Sequence, residues 1–288
     1  MTEITQHKQI QQHPRLGVEV LQGCSLINLT NLQIREFKQS LWEHGVVVVR
    51  QQNLTALQLE EFAINTFGDL MFGGYSKTLD PDISPDLQSQ YVNILGNPKG
   101  LDQEVVGKFA WEWHHDKDGI PRSDKLDMNA LYVVMLYGVK VPPEGMDGQP
   151  HTTEFLDMVE AYHNLDRQHQ QQLEKMFMYH APPMFSKRAN TLDIPQKVHP
   201  IVSTHKVTGQ KGLYLGSNTA IPVGMEDKHF WNDLFQTVLN CTPVYSYVWH
   251  PGDVIFWDNS QVMHRGTFYD ATKYQRIGLR LGVVDTQI

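Results

Sequence analysis

The sequence predicts one mainly β domain, residues 1–288, in which a double-sheet core carries flanking helices on its outer face. Three observations carry that expectation. Short apolar runs of strand length, separated by turn residues, dominate the last third of the chain. Helical periodicity is confined to the N-terminal part and one insertion. No repeat or low-complexity linker divides the 288 residues, which is enough chain for one large core.

Taken in order, residues 1–14 are rich in Gln, His and Thr and are expected to form a loose arm. Thr30 is a candidate N-cap for a helix over Leu32 to His44, where Ile34, Phe37, Leu41 and Trp42 share a face and Gly45 suits the exit. The run Val46 to Val49 is β-branched and apolar throughout, as a strand buried on both faces would be. Thr55 opens a second helix to about Phe67. The stretch from Gly73 to Glu112 reads as a long loop interrupted by one strand-like piece, Tyr91 to Leu95; loops of that length tend to carry function. Strands resume over Leu131 to Val141. Helices are expected over Glu154 to Asn164 and Arg167 to Tyr179. Short strands then follow at Ile201 to His205, Leu213 to Leu215, Tyr245 to Trp249, Val254 to Trp257 and Gly278 to Val284.

Composition narrows the function classes. With 41% hydrophobic and 19% charged residues the chain is globular, not disordered. A net charge of -8 argues against a partner of nucleic acid or anionic membrane, both of which need a basic face. Two cysteines, Cys24 and Cys241, are too few for a disulfide framework or a thiolate metal site. No apolar run follows a basic stretch at the N-terminus and none is long enough to span a bilayer, so a cytoplasmic location is expected.

The chemistry-bearing residues begin with Trp111-Glu-Trp-His-His-Asp116. Alternate residues of a strand share a face, so His114 and Asp116 would project together, whereas His115 and Asp116 would not. Two histidines and one carboxylate on one side of a metal leave the other side open, which suits non-haem iron(II) oxygenases. His264, beyond the Pro251-Gly252-Asp253 turn and the strand after it, is the candidate third ligand. A lone His-X-Asp is more often a surface pair or a structural hydrogen bond.

Downstream, Arg276 and Arg280 stand four apart in an apolar strand and would share a face. A buried guanidinium needs an anion, and its fork matches a carboxylate. A structural ion pair would explain them equally well. Thr153 offers a hydroxyl to the same anion, although a helix N-cap is the commoner role for threonine there.

The ordered set of motifs resembles the taurine/2,4-dichlorophenoxyacetate dioxygenase family of iron(II)- and 2-oxoglutarate-dependent oxygenases. The likeness runs from about Gly45 to the C-terminus. It is carried by Trp113-His-His-Asp116, by Thr153 ahead of Ala161-Tyr162, by His199-Pro-Ile-Val with His205-Lys-Val-Thr-Gly209 and Leu213-Tyr-Leu215, and by Trp257-Asp-Asn259 with His264-Arg265 and Arg276. The resemblance implies a double-stranded β-helix (jelly roll). It also implies iron(II) on His114, Asp116 and His264, and 2-oxoglutarate held by Thr153 and Arg276, with dioxygen as the other cosubstrate. Arg280 matches an arginine that meets an acidic group of the substrate. The expected reaction hydroxylates a small organic acid or amino-acid-like substrate, with formation of succinate and CO2. Alternatives are a natural-product tailoring oxygenase that desaturates or cyclises its substrate, and a non-catalytic metal- or acid-binding jelly-roll protein. Asp116 favours oxygenation over halogenation, since related halogenases lack this carboxylate.

The departures concern the substrate pocket. Met71 and Phe72 stand where taurine-using members carry a histidine, which implies a more apolar pocket. Tyr75, Lys77, Asn93, Asn97, Lys117, Asp118 and Asn218 are further candidate substrate contacts, each equally readable as a locally bonded or solvated residue. The expected partner is a small, acidic molecule; assembly with copies of itself is left open.

Overall fold

The computed structural model describes residues 8–9, 13–71, 89, 91–97, 111–116, 131–180, 197–218, 220–225 and 229–284. Along the chain these form β1 (Lys8–Gln9), β2 (Val18–Glu19), α1 (Asn31–His44), β3 (Val46–Val49), α2 (Ala56–Phe67), β4 (Asn93–Gly96), β5 (Leu131–Lys140) and β6 (Thr152–Asp157). Next come α3 (Met158–Asn164), α4 (Arg167–Leu173), β7 (Phe177–His180), β8 (Lys197–Pro200), β9 (Val202–Thr204), β10 (Lys211–Leu213) and β11 (Ile221–Pro222). The chain then forms α5 (Phe230–Cys241), β12 (Val244–Val248), β13 (Val254–Asp258), β14 (Val262–Gly266) and β15 (Ile277–Val284). The fold is mainly β with few helices.

A seven-stranded sheet runs β1-β2-β3-β13-β5-β15-β4, and a three-stranded sheet runs β12-β6-β14. Strand alternation sorts the side chains of the large sheet into two cores. Val47, Val49, Val133, Met135, Phe256, Leu279, Leu281 and Val283 pack outward against Phe37 and Leu41 of α1 and Leu59, Phe62 and Phe67 of α2. Val46, Val48, Val134, Leu136, Ile255, Trp257 and Val284 point inward, where Phe155, Tyr245, Tyr247 and Val262 of the small sheet meet them. The outer face of the small sheet, through Leu156 and Met263, packs on α3 and α5.

Local signals explain the best-defined elements. Thr30 and Gln33 form a reciprocal capping box on α1, and Thr55 and Gln58 form another on α2. Gly45 leaves α1 at φ +65°, where a side chain would be strained and would also press on Leu16 and Arg15. The chain then turns straight into the fully buried β3.

Several expectations are corrected. Residues 154–157 are strand, not helix, because β6 pairs with β12 on one side and β14 on the other. Asp157, whose carboxylate accepts from the Val159 and Glu160 amides, starts the helix. The following helix stops at Leu173, and Phe177–His180 instead pairs with β8 and β11. Helices are not confined to the first two thirds. α5 buries Trp231, Leu234, Phe235 and Val238 at helical spacing. The N-terminal arm is tied down in its described part: Lys8–Gln9 pairs with β2, and His13 is buried, accepting from the Arg15 and Leu16 amides.

Candidate active site

The space between the two sheets is apolar along most of its length, and polar groups interrupt it in clusters. His264 lies in β14, on the inward face with Val262, its ring against Trp257 and Phe155. His114 is joined to it by a single antiparallel bridge, with each amide donating to the other residue's carbonyl at 3.1 and 3.0 Å. Among the described residues His114 sits in no longer strand, so this bridge sets its register. His115 turns the other way: its ring lies on Tyr214 and its Nδ1 accepts from the Gly216 amide.

Asp116 follows in a turn, and a residue whose role the sequence did not reveal holds it there. The Asn259 carboxamide accepts from the Asp116 amide at 2.8 Å and donates to the Asp116 carbonyl at 3.1 Å. Its place just past the end of β13, in Trp257-Asp-Asn259, was visible; what it would clamp was not.

Nε2 of His114 lies 3.9 Å from Asp116 Oδ1, and Nε2 of His264 lies 3.5 Å from Oδ2. One donor atom from each of the three residues falls within 4.8 Å of the others. The protonation states suit a cation. Burial, then the His114 charge, pushes the His264 imidazole down to about 3, leaving it neutral. Burial alone would raise the Asp116 carboxyl. The Arg280 guanidinium, then His264 and His114, outweigh it and hold the group ionised, well below the usual carboxylate range. Nδ1 of His114 stands 2.6 Å from the Glu112 carbonyl; donation there leaves Nε2 bare, the usual support for a ligating histidine. Asp116 Oδ2 is buried with no hydrogen-bond partner among the described residues. A buried, unpartnered carboxylate oxygen on Asp116, with the Nε2 atoms of His114 and His264 converging on the same carboxylate, fits a divalent metal.

Arg280 enters from the opposite sheet. It lies in β15, only 7% exposed, directly across from Asn93 of β4. One of its guanidinium nitrogens is 2.8 Å from Asp116 Oδ1.

A second cluster lies by the start of β15. Arg276 precedes that strand by one residue and lines a small cavity with Leu136, Gly138, Trp249 and Gly278. No carboxylate among the described residues pairs with it. Burial lowers its pKa and the Tyr269 phenol opposes that. The Trp249 indole N–H donates to Thr153 Oγ1 at 2.9 Å. Thr153 is a buried strand residue and not a helix cap, so its own hydroxyl hydrogen is available.

The chain matches the model of the taurine catabolism dioxygenase TauD, TfdA family over residues 6–281. It belongs to that family. It is 32% identical over 266 residues, 84% of this chain and 85% of the other, to the alpha-ketoglutarate-dependent 2,4-dichlorophenoxyacetate dioxygenase of Cupriavidus pinatubonensis (strain JMP 134 / LMG 1197). It is 26% identical over 272 residues, 88% and 87% of the two chains, to the (S)-phenoxypropionate/alpha-ketoglutarate-dioxygenase of Sphingobium herbicidovorans. Among solved structures it is similar to AAD-2 in complex with Mn(II) and N-oxalylglycine, with TM-score 0.73, 26% identity and coverage of 98% and 97%. This TauD/TfdA-family protein is therefore an oxidoreductase, a dioxygenase dependent on Fe(II) and 2-oxoglutarate that consumes O2. The reading as a non-catalytic binding protein falls with that membership.

Of the expected substrate contacts, the structure brings some to the site and assigns others elsewhere. Met71 packs against the inward core. Asn218 is exposed and donates to Glu112. Asn97 is corrected. Its amide nitrogen donates to the Ala271 and Tyr274 carbonyls, and its oxygen accepts from Tyr269 and the Arg276 amide. Its whole valence holds the segment that carries Arg276, so none is left for a substrate. Phe72, Tyr75, Lys77, Lys117 and Asp118 lie outside the described residues. No helix among those described is long and apolar enough to cross a membrane.

Proposed function

We propose that this dioxygenase hydroxylates a small organic acid or amino-acid-like molecule, forming succinate and CO2, in a single domain of double-stranded β-helix (jelly-roll) form. His114, Asp116 and His264 hold the iron. Thr153 and Arg276 hold the distal carboxylate of 2-oxoglutarate. Arg280, Asn93 and Met71 face the substrate.

The carrying observation is the position of Arg280. Its guanidinium is buried on the inward face, beside the metal-ligating carboxylate and opposite a carboxamide. Once Asp116 gives charge to a metal, that fork is left with donors to spare for a second anion. Arg276 has no anion among the described residues and shares its cavity with Trp249, the donor to Thr153, which supports a carboxylate there and a separate one at Arg280.

Bound iron, with 2-oxoglutarate and dioxygen, supplies the oxidising power. The protein's residues orient and exclude. The Glu112 carbonyl fixes the His114 tautomer, and Asn259 fixes the Asp116 backbone. Phe155 and Trp257 wall the His264 ring away from water. Arg280 and Asn93 set which carbon of an acidic substrate faces the metal.

A panel of small acids scored by substrate-dependent succinate release tests the proposal. Carboxylates or sulfonates should stimulate release and their neutral amides should not. Stimulation by neutral compounds alone would contradict it.

A further inference from the structure

His151 is a buried imidazole that neither the metal site nor the core explains. It is 2% exposed, and its Nε2 has no hydrogen-bond partner among the described residues. A buried acceptor or donor left unmade is costly, so its persistence calls for an account.

Contact distances point to which nitrogen carries the proton. Nδ1 lies 3.3 Å from Thr267 Oγ1. That hydroxyl has one hydrogen, and it donates to the Thr152 carbonyl at 2.9 Å while accepting the Thr152 amide at 3.0 Å. With that hydrogen on the shorter of its two contacts, 2.9 against 3.3 Å, Nδ1 is the donor to Thr267 and Nε2 carries the lone pair. Burial first, and the Arg276 charge second, push this imidazole down to about 3. The groups around it are few. Tyr269 meets its ring edge-on at 5.5 Å, Thr267 occupies Nδ1, and Arg276 is the nearby charge. Tyr269 in turn is spoken for, donating to Asn97.

The Trp249 amide donates to the His151 carbonyl at 3.3 Å, which joins His151 to the Trp249–Thr153 cluster, and the nearby Arg276 has no anion among the described residues. A ligand that satisfies both must bring an acceptor to Arg276 and a hydrogen to Nε2. A carboxylate alone brings only acceptors and would face the lone pair unfavourably. A carboxylate arriving with one proton satisfies both, whichever of the two groups formally holds it.

We propose that His151 is a third arm of the 2-oxoglutarate carboxylate site, and that the distal carboxyl binds there together with one proton, shared between it and His151 Nε2. The proposal rests on the assignment of Arg276 and Thr153 to that carboxylate. Nothing is oxidised or reduced; one proton moves from solvent to the complex. By linkage, affinity for 2-oxoglutarate falls as pH rises above the pKa of the shared proton, up to about tenfold per pH unit.

Isothermal titration of 2-oxoglutarate into Mn(II)-loaded protein, in buffers of different ionisation enthalpy at pH 6.5, 7.5 and 8.5, reads the proton count directly. The wild type should take up a substantial fraction of one proton more than His151→Gln and His151→Asn. Its dissociation constant should rise with pH, whereas those of the variants stay nearly flat. Equal proton counts in wild type and folded variants, or no uptake in the wild type, would overturn the proposal. Arg276→Ala separates the two layers. If it binds 2-oxoglutarate as the wild type does, the carboxylate assignment fails and takes His151 with it. If it loses binding while the His151 variants match the wild type in affinity and proton count, only the role of His151 fails.

Discussion

Arg280 reaches across from the large sheet to within 2.8 Å of the Asp116 carboxylate, so the group expected to meet substrate already balances the charge of a metal-site residue. Removing it has two separable effects. Arg280→Ala should raise the substrate KM by about ten- to a hundredfold, as loss of a charged hydrogen-bond pair of about 1.5–3 kcal/mol would. The dissociation constant for 2-oxoglutarate should move by less than about threefold. Equal effects on both, measured by steady-state kinetics and anaerobic titration, would place Arg280 at the cosubstrate instead.

Asn259 holds Asp116 by two hydrogen bonds to its backbone. Asn259→Ala should therefore weaken Fe(II) binding by about 10–100-fold, the usual effect of removing such a support. Asn259→Asp keeps the acceptor, loses the donor and puts a second negative charge near the carboxylate, so it should not restore the wild-type value. Competition with a chromophoric chelator measures this; unchanged metal affinity in a folded variant would refute it.

Asn97→Ala discriminates a structural from a substrate role. Its side chain restrains the segment ahead of β15, including the Arg276 amide. The substitution should raise the KM for 2-oxoglutarate more than that for substrate. A selective rise in substrate KM would restore the sequence-based reading.

Acid should destabilise the metal-free protein from the range where histidine titrates. His264 and His151 are both pushed down to about 3, and His115 and His13 are also lowered, each chiefly by burial. The unfolded chain, with histidines near 6.5, binds more protons than the folded one between about pH 6.5 and 3. Stability is therefore fully present above about pH 6.5 and is lost as pH falls through that window. Asp116 adds a further loss below about pH 4, since its carboxyl is ionised in the fold at a pH where the unfolded one is not. Thermal melts at pH 7.5, 6.0 and 5.0 should show a falling Tm; a flat profile would contradict it.

How much of this was legible in the sequence differs element by element, for physical reasons. Val46 to Val49 and the capped helices α1 and α2 are local statements, fixed by β-branching, Thr caps and a glycine exit, and the structure follows them. Residues 154–157 are not local: apolar spacing there fits a helix, and only pairing with β12 and β14 makes them strand. α5 is legible at Trp231, Leu234, Phe235 and Val238, whose helical spacing stands among strand-length apolar runs. At the site, residue types and order point to His114, Asp116, His264, Arg276 and Thr153, and the structure brings the first three together. The Arg280–Asp116 pair, the Asn259 clamp and the orphaned His151 nitrogen join residues more than a hundred positions apart, or depend on one hydroxyl's single hydrogen. No spacing rule reports those.

The central claim is that His114, Asp116 and His264 hold an iron that 2-oxoglutarate joins directly. Adding Fe(II) and 2-oxoglutarate without oxygen and recording the visible spectrum tests it. The wild type should develop a metal-to-ligand charge-transfer band, and a folded His264→Ala variant should not. A folded wild type without the band, or a variant that keeps it undiminished, would contradict the account.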